Sequence, residues 1–153
     1  MSVRLQREDF DVAAETRRLT AGRTDVGAVV TFTGICRAGP EGERISAMML
    51  DHYPAMAQAE LERIEAQARE RWPLQGALII HRHGRLVPGE NIVLVITLSA
   101  HRQAAFEAAE FLMDYLKNRA PFWKKEEREQ GSSWVAAKAE DEEALERWSP
   151  KAG

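Results

Sequence analysis

Apolar residues along the chain follow two periods, one typical of strands and one typical of helices. Five segments rich in β-branched, aromatic or other apolar residues are predicted to be strands. They are residues 27–34, 44–53, 76–84, 91–99 and, as a short last strand, 132–137. Glycine and proline mark a loop at residues 38–43 and a turn at residues 87–90.

Two long helices are predicted where apolar residues recur three and four positions apart. The first opens at Pro54, which suits a first helical turn, and ends before Trp72-Pro73. Its apolar stripe is Ala57, Leu61, Ile64 and Ala68. Ser99 is expected to cap the second helix and Pro121 to end it. That second stripe is Ala105, Phe106, Ala109, Leu112, Met113 and Leu116.

The order of these elements favours an α+β fold. Each parallel strand step needs a crossover, and two long helices are too few for a fully parallel sheet. The acidic stretch 139–148 is predicted to form a terminal helix that docks through Leu145 and Trp148. At 153 residues we expect one domain over residues 1–153.

Composition narrows the classes of function. A net charge of −3 argues against a dedicated binder of nucleic acid or anionic membranes, because both need a broad basic surface. No apolar run is long enough to span a membrane, and we expect a cytoplasmic protein. The single cysteine, Cys36, excludes an internal disulfide and an all-cysteine zinc site within one chain.

Four cations gather around Pro121 in this acidic chain: Lys117, Arg119, Lys124 and Lys125. They have two interpretations. Cations at a helix C-terminus offset the helix dipole, and the neighbouring aromatics then simply fill the core. Alternatively, the proline turn brings Lys117 and Lys124 into one pocket, where each charge lowers the pKa of the other amine and favours a nucleophile or base.

Three further cations are candidate anion ligands. His101 and Arg102 stand at the start of the second long helix, where exposed N–H groups favour anions. Arg37 follows a strand end. If these cations meet the lysine cluster, they form a pocket for a phosphorylated small molecule. Solvent exposure without a ligand is the alternative for each of them.

Two other groups carry chemistry in principle. His81 and His83 are two positions apart on a predicted strand, so both would point to one face and offer metal ligands. No carboxylate or cysteine at ligand spacing accompanies them, which favours packing instead. Cys36 beside Arg37 is either an activated thiolate or, more simply, a buried and inert side chain.

The chain resembles the large, catalytic subunit family of molybdopterin synthase, through motifs that run in order from Gly27 to Trp148. The most specific motif is Phe111-Leu-Met-Asp-Tyr-Leu-Lys-Asn-Arg-Ala-Pro-Phe-Trp-Lys-Lys-Glu126. The others are Gly27-Ala-Val-Val-Thr-Phe-Thr-Gly34 with Arg37, Asp51-His-Tyr-Pro54, Arg71-Trp-Pro-Leu74, Ile80-His-Arg82 and Ser99-Ala-His-Arg102. The first 26 residues add nothing to this resemblance.

The resemblance implies a sulfurtransferase of molybdenum cofactor biosynthesis. Such an enzyme converts cyclic pyranopterin monophosphate to molybdopterin by adding two sulfurs as a dithiolene. The sulfur arrives as the C-terminal Gly-Gly thiocarboxylate of a small ubiquitin-like partner. The implied fold is an α/β hammerhead with an additional antiparallel β subdomain. The implied assembly is a homodimer within a heterotetramer, with no cofactor and no metal.

The resemblance also implies roles for individual residues. Lys117 would lie beside the terminal glycine of the partner, and Lys124 would assist proton transfer. Arg37, His101 and Arg102 would hold the substrate phosphate, completing the pocket of the neighbouring subunit. Lys125 and Glu126 fall in the same substrate-contacting segment. The alternative is a non-catalytic domain that binds a phosphorylated ligand with the same cations.

Overall fold

The computed structural model describes residues 2–39, 45–52, 54–118, 122–128, 131–135 and 146–148. The elements are, in chain order, β1 (Val3–Gln6), α1 (Val12–Thr20), β2 (Ala28–Ile35), β3 (Ile45–His52), α2 (Pro54–Arg71), β4 (Leu74–Arg82), β5 (Gly84–Leu86), β6 (Asn91–Ser99), α3 (Arg102–Asn118), β7 (Phe122–Arg128) and β8 (Gly131–Val135).

The strands form two four-stranded sheets. The first sheet has the order β1-β4-β6-β2, in which β1 runs parallel to β4 and the other pairs are antiparallel. The second sheet has the order β5-β3-β7-β8 and is antiparallel throughout. The predicted α+β class is confirmed.

The central strands of the first sheet are covered on both faces, which explains their uninterrupted apolar sequences. On one face, Ile79, Val93 and Val95 pack with buried residues of α2 and α3. On the other face, Leu78 and Ile96 are register partners in a second buried cluster with Phe10, against which Val12 and Leu19 of α1 pack. The main core therefore lies on the two faces of this sheet.

Both predicted long helices exist, and one apolar stripe needs correction. Every residue of the α2 stripe is fully buried. In α3, Phe106 is 61% exposed, whereas Phe111, which lay outside the predicted stripe, is fully buried. Phe111 packs edge-on against Trp72, just beyond the end of α2, so the aromatic contact between the two helices involves it and not Phe106.

Four elements were not predicted: β1, α1, the short strand β5 and β7. Lys124 was expected just past the proline turn, with Lys125 and Glu126 in a substrate-contacting segment; all three lie in β7, a strand between β3 and β8. The α1 helix carries ordinary signals, since the Asp11 carboxylate caps it by accepting from the Ala14 amide and basic residues occupy its last turn.

The C-terminal helix prediction falls mostly outside the described residues, as does Leu145. The predicted docking of Trp148 is confirmed. Its ring makes edge-on contacts with Trp72 and Phe111, and its indole N–H donates to Asp114 of α3. Arg71 at the end of α2 donates to the Trp148 carbonyl at 2.6 Å. Trp148 therefore ties α2 to α3.

Within the described ranges, no helix has the length and apolar character needed to cross a membrane.

Candidate active site

The pairing of β2 with β6 separates Arg37 from the other two predicted anion ligands, His101 and Arg102. Ala28 is the register partner of Ser99, and Ile35 is the partner of Asn91. His101 and Arg102 follow Ser99, whereas Arg37 follows Ile35, so they lie at opposite ends of this strand pair. Eight extended residues span roughly 23 Å. One chain therefore does not bring Arg37 together with His101 and Arg102.

Helix α3 runs back from the end of the strand pair that carries His101 and Arg102 toward the end that carries Arg37. It follows β6 after a two-residue connection and packs on β6 and β2. A rise of about 1.5 Å per residue puts Lys117 about 22 Å from Arg102 along the axis. Lys117 is exposed and lies in the last helical turn. We call the two ends of this layer the His101 end and the Arg37 end, and Lys117 belongs to the latter.

The His101 end is built on close backbone contacts. The Gly27 amide donates to the Ser99 carbonyl at 3.0 Å, and a Cβ atom on Gly27 would lie 2.1 Å from the Ala100 carbonyl oxygen. A glycine is required there because backbone cannot rotate away from such a clash. The Thr97 hydroxyl donates to the Ala105 carbonyl at 2.6 Å, which holds the start of α3 against β6.

Ser99 does not cap α3, contrary to the sequence prediction. Ser99 is the last residue of β6, and its buried hydroxyl donates to the Pro73 carbonyl at 2.9 Å. The helix begins three residues later, at Arg102. His101 and Arg102 are both exposed and thus accessible to an anion.

The Arg37 end is held by the turn that leads into β6. Cys36 donates its amide to the Glu90 carbonyl at 2.8 Å and accepts from the Gly89 amide at 2.7 Å. The Cys36 side chain is buried against Leu86 and Ile92, as the inert interpretation requires. Arg37 follows immediately and is exposed. Its backbone therefore starts from a fixed point.

Three predicted site residues lie in β7. Lys124 is the register partner of Leu50 in β3 and of Val135 in β8. Lys125 is opposite Met49, and Glu126 is opposite Met48. Residues 119–121, which join α3 to β7, lie outside the described residues. The convergence of Lys117 with Lys124 thus stays a prediction.

The histidine pair does not form the predicted strand face. His81 is buried, and its Nδ1 lies 2.8 Å from the Arg82 carbonyl oxygen. Strand β4 ends at Arg82, so His83 lies beyond it. Among the residues that the structure describes, no three His, Cys, Asp or Glu side chains are grouped to hold a metal ion.

Arg82 is the residue whose importance the sequence did not reveal, although it lies in the Ile80-His-Arg82 motif. Its side chain is buried at the same end of the sheet as Arg37 and donates to the Arg7 and Asn91 carbonyls. Nearby, the Asn91 amide donates to Asp9 and holds the pKa of that carboxyl below its ordinary value, to which the Arg82 charge contributes.

Comparison with known proteins agrees with this geometry. The model of the MoaE protein family matches residues 5–119. The molybdopterin synthase catalytic subunit of Mesorhizobium japonicum is 65% identical over 149 residues, which cover 96% of this chain and 92% of that protein. The match therefore includes most of the first 26 residues, and the expectation that they add nothing was wrong.

Solved structures share the fold. The molybdopterin biosynthesis MoaE protein from Burkholderia ambifaria superposes with a TM-score of 0.82 at 46% identity, covering 96% of this chain and 97% of that one. A complex of subunits 1 and 2 of molybdopterin-converting factor from Helicobacter pylori gives a TM-score of 0.71 at 20% identity, covering 91% and 92%. In sequence and in fold, this chain belongs to the MoaE protein family.

Proposed function

We propose that this chain is the catalytic subunit of a molybdopterin synthase. It converts cyclic pyranopterin monophosphate to molybdopterin, and the C-terminal thiocarboxylate of a small ubiquitin-like partner supplies the sulfur. The similarity to the Mesorhizobium catalytic subunit over nearly the whole of both chains carries this proposal. The Helicobacter chain with this fold is part of a complex of subunits 1 and 2 of molybdopterin-converting factor, which supports the existence of a small partner subunit.

In the proposed chemistry, cations at the end of α3 and in β7 act on the reacting groups. Sulfur transfer develops negative charge on the thiocarboxylate and on the leaving oxygen, and positioned cations stabilise such charge in the transition state. Lys117, exposed at the end of α3, is available to an extended peptide tail. Lys124 assists proton transfer, and Lys125 and Glu126 continue the substrate-contacting segment.

The active site is proposed to be shared between two copies of the chain. His101 and Arg102 of one chain are too far from its own Lys117 to contact the same small substrate, since about 22 Å of helix separates them. A second copy can present its His101 end to the Arg37 end of the first. In this arrangement Arg37 of one chain and His101 and Arg102 of the other can contact the same phosphate. We therefore propose a homodimer, with one small subunit at each end.

A reconstituted reaction tests the function. The purified chain is mixed with a thiocarboxylated small subunit and cyclic pyranopterin monophosphate, and dithiolene formation is followed. We expect multiple turnovers that depend on the thiocarboxylate, with the carboxylate form of the partner as control. A competent partner and an inactive chain would contradict the proposal and favour the non-catalytic binding domain.

A further inference from the structure

A buried cation at the Arg37 end, Arg82, has no role in the proposed reaction. Arg82 is only 7% exposed, and a buried guanidinium is retained only where its donors are satisfied. Its Nε donates to the Arg7 carbonyl at 2.9 Å and its Nη1 to the Asn91 carbonyl at 2.8 Å. The same Nη1 is 3.4 Å from a carboxylate oxygen of Glu90. Arg82 therefore contacts the chain at the residues where β6 begins, Glu90 and Asn91.

Glu90 continues these contacts into the turn before β6. Its second carboxylate oxygen accepts from the Val87 amide at 3.1 Å, and its own amide donates to the Val87 carbonyl at 3.0 Å. Both ends of the turn are thus closed by one residue. Gly89, within the turn, has a φ of 95°, a conformation that favours glycine.

The turn before β6 also hydrogen bonds to Cys36, the residue before Arg37. Cys36 is bonded through its amide to the Glu90 carbonyl and through its carbonyl to the Gly89 amide. Its side chain is buried with Leu86 on one side and Ile92 on the other. A continuous series of contacts therefore runs from the buried Arg82 guanidinium, through Glu90, to the backbone of Arg37.

We infer that Arg82 and Glu90 are positioning residues, which hold the backbone from which the Arg37 guanidinium reaches the substrate anion. This inference rests on the proposed function, because Arg37 is assigned to the phosphate there. Among the described residues no side-chain contact of Arg37 is seen, so the bonded Cys36 backbone is what fixes the point from which its side chain extends. A ligand displaced by about 1 Å loses much of its effect on a bound group.

A double-mutant cycle tests the inference. Glu90→Gln removes the charge that meets Arg82, and Arg82→Lys keeps the positive charge but loses the forked geometry. Each is expected to raise KM for cyclic pyranopterin monophosphate about tenfold while kcat changes less than about twofold. In an Arg37→Ala background neither substitution should raise KM further, because the residue through which it acts is gone. Glu8→Gln, which removes an exposed carboxylate, is the matched control.

Hydrogen exchange supplies a readout independent of activity. The Cys36 and Gly89 amides should exchange faster in Glu90→Gln and Arg82→Lys than in the wild type and in Glu8→Gln. Unchanged exchange would overturn the anchoring, and a KM increase of equal size in the Arg37→Ala background would overturn the action through Arg37.

Equilibrium binding of cyclic pyranopterin monophosphate is measured on the same variants. A wild type that binds this compound but does not turn over contradicts the proposed function, and the same cycle on Kd still decides the positioning role. A wild type that does not bind it overturns both.

Discussion

The two ends of the β2–β6–α3 layer carry similar cations, but different contacts fix the backbone next to those cations. At the His101 end the backbone is fixed by direct contact, with Gly27 packed under the Ala100 carbonyl and Thr97 bonded across to α3. At the Arg37 end the support is indirect: buried Arg82 bonds to backbone carbonyls and meets Glu90, and the turn before β6 bonds to the Cys36 backbone. Substitutions should therefore act by packing at the first end and by charge at the second.

The largest difference is expected in turnover. Lys117→Ala and Lys124→Ala should each lower kcat by about a hundredfold or more, because both lysines are proposed to act on the reacting atoms. Arg102→Ala should mainly raise KM for the pterin, since a phosphate ligand contributes binding in the ground state as well as the transition state. Steady-state kinetics with a saturating thiocarboxylated partner measure both.

Arg17→Ala, an exposed cation of α1, controls for net charge in that comparison. A kcat within threefold of the wild type for Lys117→Ala would remove it from the chemistry.

Mixing variants asks whether the two ends meet across chains. Lys117→Ala and Arg102→Ala preparations are dissociated, mixed in equal amounts and reassociated. If each site takes Lys117 from one chain and Arg102 from the other, random pairing restores about a quarter of the wild-type sites. The mixture is assayed at a pterin concentration well below the KM of Arg102→Ala, so that neither pure variant is active. Activity no higher than the average of the two pure variants would mean that no site combines Lys117 of one chain with Arg102 of the other.

Backbone packing at the His101 end is tested by Gly27→Ala. The added Cβ meets a carbonyl oxygen at 2.1 Å, so the connection to α3 must shift, at a cost of about 1–3 kcal/mol in the free energy of unfolding. Gly76→Ala is the matched control, since its Cβ would come closest to the end of the flexible Leu98 side chain, at 2.8 Å, rather than to backbone. Urea unfolding should show the larger loss for Gly27→Ala, and equal losses would contradict the packing argument.

The smallest effect is expected from acid titration at the Arg37 end. The pKa of Asp9 is held below 3.8, chiefly by the Asn91 amide, so its stabilisation is present at neutral pH and is lost as pH falls through the folded-state pKa. Asp9→Asn should therefore be slightly less stable than wild type at pH 7, and this difference should be smaller at pH 3. Urea midpoints at the two pH values give this difference, and a gap that widens in acid would reverse the sign.

Local patterns predicted what depends on local structure. The α2 stripe and the strand Asn91–Ser99 were read correctly, because each buries a regular set of apolar residues. Strand β7 was missed because residues 124–127 are all charged and disfavour strands on their own. It exists through its pairing with β3 and β8, and no local pattern reports such pairing.

The arrangement of the site depends on the same missing information. The motifs identified Lys117, Arg37, His101 and Arg102, but not which of them are neighbours. That follows from the antiparallel register of β2 with β6 and from the direction of α3. The role inferred for Arg82 was hidden for a similar reason, since its partners lie at residue 7 and at residues 90–91.

The strand order of the first sheet bears on how the chain folds as it is synthesised. Among the described residues, strand β2 pairs only with β6, whose residues leave the ribosome about sixty positions later. At about 5–20 residues per second, β2 waits several seconds with its backbone unpaired. Even in the finished chain Val29, Phe32 and Ile35 of this strand are exposed. The nascent polypeptide therefore carries an apolar, hydrogen-bonding edge that a chaperone is suited to cover until β6 arrives.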